Sequence, residues 1–183
     1  MQATFFLEKE VRKMFKKNDT VLYSSEGVCV VNDITQRQFK DRIMQYYVLK
    51  PVYKDGATVF VPVENKDLVA KMKRILSVED IHQLIEDMPN QTIEWIDNDN
   101  LRKDKYREIL RNGSRKQLIQ LIRTIYLKQE ELKKIGKKIH ATDDNIFKEA
   151  EKILYEEFAY VLNIHKEEVV PFIFHQIELK EKS

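Results

Sequence analysis

At 183 residues and 43% hydrophobic content the chain holds one or two small domains with real cores, and four glycines and four prolines exclude a long flexible linker. The single cysteine, Cys29, excludes an internal disulfide framework and a four-cysteine metal site, and no apolar run approaches the roughly 18 residues of a membrane helix. The net charge of +2 is uneven: residues 97–138 contain thirteen Lys or Arg against six Asp or Glu, a local +7, so the remainder sums to −5. A basic region beside the only tryptophan, Trp95, points to a polyanionic partner rather than a uniformly solvated surface.

The first thirteen residues, MQATFFLEKEVRK, lack the continuous apolar segment of a signal peptide. They read as an N-terminal extension, with a short helix, an alternative start or a vector-derived remnant all open. Residues 20–70 then read as strands and turns. Thr20-Val21-Leu22-Tyr23 is followed by the turn Ser24-Ser25-Glu26-Gly27 and by the run Val28 to Ile34. Within that run Cys29 reads as a buried thiol rather than a catalytic one, in keeping with a reducing compartment. Tyr46 to Val52 forms a further β-rich run, and the Asp55-Gly56 turn leads into Ala57 to Val63. Short strands at this spacing suggest a small barrel, which would protect its own edges, with Pro62 at an edge or strand end.

Near Lys71 the pattern turns helical. Ser77-Val78-Glu79-Asp80 forms a capping signal ahead of Ile81, Leu84 and Ile85 at helical spacing, and Met88-Pro89-Asn90-Gln91 interrupts it. A helix is expected over 101–110, ending in an Asn112-Gly113 C-cap. Ser114 then caps a long helix carrying Leu118, Leu121, Ile122, Ile125 and Leu132. Another begins near Thr142-Asp143-Asp144 and carries Phe147, Ala150, Ile153, Leu154, Phe158 and Leu162; a last one starts near Lys166. The expected fold is therefore α+β: an N-terminal small Tudor/SH3-like β-barrel over 14–72, joined to a C-terminal all-α bundle over 73–183.

No enzymatic constellation stands out. The four glycines are scattered, with no phosphate-cradling loop, and none of His82, His140, His165 and His175 belongs to an HExxH motif. Neither a cofactor nor a metal site is expected. The basic block carries more information: Arg102, Lys103, Lys105, Arg107, Arg111, Arg115 and Lys116 surround the Asn112-Gly113 turn, and Lys133, Lys134, Lys137 and Lys138 follow. Such cations neutralise phosphates without reading bases; a solvated helical face with acidic partners is the competing reading. Trp95 likewise has two competing uses, as an anchor of the helical core or as an apolar wedge in a minor groove.

The order of these motifs resembles the CarD/CdnL family of bacterial RNA-polymerase-binding transcription regulators. The residues that carry it are Phe15 to Tyr23 (FKKNDTVLY), Gly27-Val28, Tyr46-Tyr47-Val48-Leu49 and Val59 to Asn65 (VFVPVEN). Trp95, the basic helix from 101, Asn112-Gly113-Ser114 and Ala150 to Leu154 (AEKIL) follow in the same order, over roughly 14–162. The resemblance implies an N-terminal domain like the polymerase-interaction domain of transcription–repair coupling factors, binding the RNA polymerase β subunit. It also implies a helical domain at the upstream edge of the promoter bubble, with a tryptophan wedge, basic backbone contacts and a stabilised open complex. Trp95 takes the wedge role; Arg102 and Lys103 supply phosphate contacts, joined by Lys105, Arg107, Arg111, Arg115 and Lys116.

The same resemblance places Arg37 at a polymerase-binding position and makes Ile43, Tyr46, Val48, Val59, Phe60 and Val61 the candidate pairing strands, a role that competes with core packing. A non-enzymatic, cytoplasmic protein, monomeric when free, is implied. Departures exist. The first turn lacks the familiar proline and histidine, Phe60 replaces an arginine of some relatives, the stretch after Trp95 is longer, and the sequence after Asn163 is additional. The alternative from a different class is an adaptor that docks on polymerase without functional DNA contact; an RNA-binding regulator is a further one.

Overall fold

The computed structural model describes residues 15–23, 26–39, 42–88 and 92–181, so the extension over 1–13 lies outside the described residues. Five strands form the N-terminal sheet: β1 (Thr20–Tyr23), β2 (Val28–Phe39), β3 (Arg42–Pro51), β4 (Val59–Pro62) and β5 (Met72–Arg74). A short helix, α1 (Lys66–Val69), separates the last two; Asn65 caps it by accepting a hydrogen bond from the Leu68 N–H at 3.0 Å.

The sheet is open, with strand order β4-β3-β2-β1-β5 and every pairing antiparallel. This corrects the expected Tudor/SH3-like barrel: β4 and β5 sit at opposite edges and no pairing among the described residues joins them. The reason lies in what covers the two faces. Alternate residues of one side, Val21, Tyr23, Cys29, Val31, Tyr47, Leu49 and Val61, form the sheet's own core with Phe15 and Met72. Leu22 and Val28, paired opposite each other, point to the other side and pack with Tyr106, Ile109, Leu118 and Leu121 of the helices. The face a barrel would close around is covered instead by Phe15, Val63 and, from α1, Leu68 and Val69, while the helical module covers the other, so closure is not needed.

The β2–β3 hairpin is longer than the apolar runs suggest, pairing Val31 with Leu49 and continuing to Phe39 with Arg42, with a bulge between Val31 and Asp33. Beyond the span covered by β1 and β4 it is a two-stranded ribbon exposed on both sides. Its residues need no hydrophobic alternation there, which is why 35–42 did not read as strand. β5 likewise occupies a stretch that reads as the start of helix.

The helical module comprises α2 (Val78–Asp87), α3 (Asp99–Asn112), α4 (Arg115–Lys134), α5 (Ala141–Leu162) and α6 (Lys166–Glu181). Capping boxes at Ser77–Asp80 and Ser114–Gln117 start α2 and α4, and Asn98 caps α3 by accepting from Leu101 N–H. Gly113 ends α3 differently from a left-handed cap: its backbone is extended (φ −62°, ψ 153°), and a Cβ there would strike the Ile109 carbonyl. Ile81, Ile85, Ile119, Leu154, Phe158, Val169 and Ile173 form a separate helical core that α6 completes.

Candidate functional site

Trp95 lies in an irregular segment, 92–96, tied down on both sides of the indole. Before it, the Ile93 N–H donates to Thr124 Oγ1 of α4 (2.9 Å), and that hydroxyl donates back to the Ile93 carbonyl (3.2 Å). After it, Arg102 Nη1 donates to the Ile96 carbonyl at 2.7 Å and, more weakly, to that of Asp97 at 3.4 Å. The half-buried indole meets Tyr106 edge-on (centroids 6.4 Å apart, 70° between planes). The Arg102 guanidinium carbon lies 4.4 Å from the ring centroid, and Lys128 Nζ, contributed by α4, lies 5.4 Å from it. Below the indole, the Tyr106 hydroxyl is buried without a hydrogen-bond partner among the described residues, and burial pushes it up to about 12.

Arg102 itself faces inward. It is 3% exposed, and its guanidinium grips Asp143 of α5 in bidentate fashion (Nε–Oδ1 3.1 Å, Nη2–Oδ2 2.8 Å) while Nη2 also reaches Asp99 at 2.7 Å. The hydrogen bond to Asp143 holds it above its ordinary range, and the one from Arg102 holds the Asp99 carboxyl below the usual carboxylate range. Arg115 is also turned in: Nε and Nη2 bind Glu157, which is fully buried, at 3.0 and 2.8 Å, and Nη2 caps the Arg74 carbonyl on the edge strand β5. Neither arginine presents its charge to a phosphate in this arrangement. Lys105, Arg107, Arg111 and Lys116 are exposed and Lys103 half-exposed. Lys103, Arg107 and Arg111 recur at i+4 along α3, which makes them one stripe.

Lys133, Lys134, Lys137 and Lys138 are exposed around the end of α4. His140, at the start of α5, lies 3.8 Å from Asp99, so this turn stands near the α3 N-terminus. Lys128 is the cation that sequence reasoning passed over. Its nearness to Trp95 depends on how α4 crosses the 92–96 segment, and nothing in the local pattern signals that.

On the sheet, register sorts the other candidates by face. Arg37, Tyr46, Val48 and Phe60 share the face opposite the sheet core, with Arg37 stacked over the Phe60 ring (3.9 Å) and Tyr46 edge-on to it (6.4 Å). Val48 is nevertheless buried. Val61 is fully buried in the sheet core, and Val59 packs partly against it. Ile43 is 72% exposed on the free ribbon, on the other face from Arg37. Arg37, reaching over from β2, thus places a cation at the Phe60 position.

Burial pushes the Cys29 thiol up to about 12, with Glu26 adding to the effect, so it is a poor nucleophile near neutral pH. Among the described residues no group of three or more His, Cys, Asp or Glu is placed to hold a metal ion, and no helix is long and apolar enough to cross a membrane. No curated protein matches the chain. Residues 15–76, about a third of the chain, match the model of the CarD-like/TRCF RID domain. The N-terminal module is thus similar to the CarD-like/TRCF RID domain, which supports an RNA-polymerase-associated role in transcription regulation in general.

Proposed function

We propose that this protein docks on the RNA polymerase β subunit through its sheet module and contacts promoter DNA at the upstream edge of the bubble through its helical module, stabilising the open complex. The observation that carries the reading is the setting of Trp95. It is a half-buried indole on a segment anchored by Thr124 and Arg102, with Lys128 5.4 Å from its ring, and the cationic stripe Lys103, Arg107 and Arg111 lies on α3, the helix that supplies Arg102 and Tyr106. On the polymerase side, the support is the domain match together with the free edge of β4 and the Arg37–Tyr46–Phe60 cluster beside it. A strand edge offers main-chain hydrogen bonds, and the cluster offers side-chain discrimination.

The roles divide by direction. Arg102 holds Trp95 in position and touches no phosphate, and Arg115 ties α4 to the sheet edge. Phosphate contact falls to Lys103, Lys105, Arg107, Arg111 and Lys116. Docking on polymerase raises the local concentration of the helical module at the bubble, so each contact can be weak alone. Stabilisation of the open state requires tighter binding to melted than to closed DNA; equal affinity for both would shift nothing. An indole that fills an unstacked step supplies that difference.

The test is the lifetime of open promoter complexes with matched polymerase. Trp95→Ala is expected to shorten the lifetime gain by about tenfold, equivalent to about 1.4 kcal/mol, while polymerase affinity stays unchanged. An unchanged lifetime with a folded mutant would instead favour the adaptor reading. One contact speaks for that second reading, the edge-on packing of Trp95 on the buried Tyr106, which suits a core anchor.

A further inference from the structure

A cavity of about 500 Å³ opens between α4, α5 and α6, on a part of the molecule that the Trp95 site and the sheet edge leave unused. Its walls are apolar: Ile119 and Ile122 from α4, Phe147 and Leu154 from α5, Ile173 and Ile177 from α6. Two charged residues line it, Arg123 and Glu151. They are not equivalent. The Glu151 carboxylate accepts from the Tyr155 hydroxyl at 3.2 Å, and burial pushes it above its ordinary range. The Arg123 Nε–H is buried and has no acceptor among the described residues. A buried charged donor without an acceptor is rare in a folded protein, because its desolvation is uncompensated.

We propose that this cavity is a binding site for a small amphipathic acid, an apolar chain or ring carrying one carboxylate or sulfonate that accepts from Arg123. The size decides against a macromolecular occupant. A few hundred cubic ångströms of mostly apolar lining with one or two convergent polar groups is the usual form of a small-ligand site. A docked partner helix or second copy would need about 1,000 Å² or more of continuous complementary surface. The site also requires α6, the segment beyond the helices shared with the resemblance, so it is a property of this chain's extension. It does not depend on the reading of polymerase docking or DNA contact.

Decanoate and decanol, titrated separately into the full chain by calorimetry, test the proposal. Decanoate is expected to bind more tightly than decanol. Arg123→Gln should weaken decanoate by about tenfold, the worth of one hydrogen bond to a charged group, and leave decanol unchanged. Ile177→Trp, which fills the cavity from its α6 wall, should weaken both. Thermal melting of each variant establishes that it is folded. Absence of decanoate binding, or equal decanoate affinity in wild type and a folded Arg123→Gln variant, would overturn the proposal. A concentration-dependent dimer that dissociates on Phe174→Ser, with no decanoate binding, would assign the groove to a second copy and overturn it equally.

Discussion

Removing Asp143 separates the two jobs a basic residue can have. Asp143→Ala leaves Arg102 buried with only Asp99 and two carbonyls as partners. Loss of one member of a buried pair costs about 3–5 kcal/mol, and the surviving partners place the expected value near the lower end. Urea denaturation measures it. Because Trp95 is the only tryptophan, its emission reports on the same event: without Asp143 to fix the guanidinium, its hold on the Ile96 carbonyl and its place over the ring loosen, and emission should shift to the red. Unchanged stability and emission would mean that Arg102 does not hold the segment. The density of cations near Trp95 is visible in sequence, but their direction is not. Arg102 and Arg115 turn inward because their carboxylates arrive from 41 and 42 residues away.

At the scale of elements, local chemistry was readable and long-range pairing was not. The boxes Ser77–Asp80 and Ser114–Gln117 close within four residues, so the starts of α2 and α4 follow from the residues alone. The free ribbon of β2 and β3 does not, since a strand with no buried face has no obligatory alternation. The turn at Gly113 was read as a stop for the right residue and the wrong conformation. Glycine is needed because the chain passes close to the Ile109 carbonyl, and the Gly113 carbonyl accepts from Lys73 Nζ. Gly113→Ala should therefore destabilise by about 1–3 kcal/mol through this clash. Gly56→Ala serves as a comparison: it has positive φ (73°) but open space around it, and should cost about 1 kcal/mol. Equal shifts in urea midpoint for the two would remove the contact as the cause.

For the molecule as a whole, the sheet and helices share one core, through Leu22 and Val28 packed among Tyr106, Ile109 and Leu121. Polar ties reinforce it: Thr20 Oγ1 lies 3.1 Å from the Tyr160 hydroxyl, and Arg115 links Glu157 to the Arg74 carbonyl. Lys166 of α6 binds Glu156 (3.4 Å) and lies 4.5 Å from the Tyr53 ring centroid, so α6 also braces the sheet. We propose two modules by sequence that unfold as one. Calorimetry should give a single transition with equal calorimetric and van't Hoff enthalpies. Arg115→Met should lower stability by about 3–5 kcal/mol without splitting the transition, since it strands the buried Glu157 carboxylate. Two resolved transitions would mean that the shared core is not cooperative. A rigid joint of this kind would also fix where Trp95 stands relative to a docked sheet module.

What the sequence determined by itself was the division into β-rich and helical parts, the helix starts, the apolar sets and the concentration of charge beside one tryptophan. All of these rest on spacings of a few residues, where backbone geometry and side-chain chemistry act locally. Tertiary structure decided that the sheet stays open, that Arg102 and Arg115 face inward and that Lys128 and Arg37 reach Trp95 and Phe60. Each of those outcomes depends on surfaces brought together from distant parts of the chain. There, burial and the pairing of charge override what any short stretch of residues prefers.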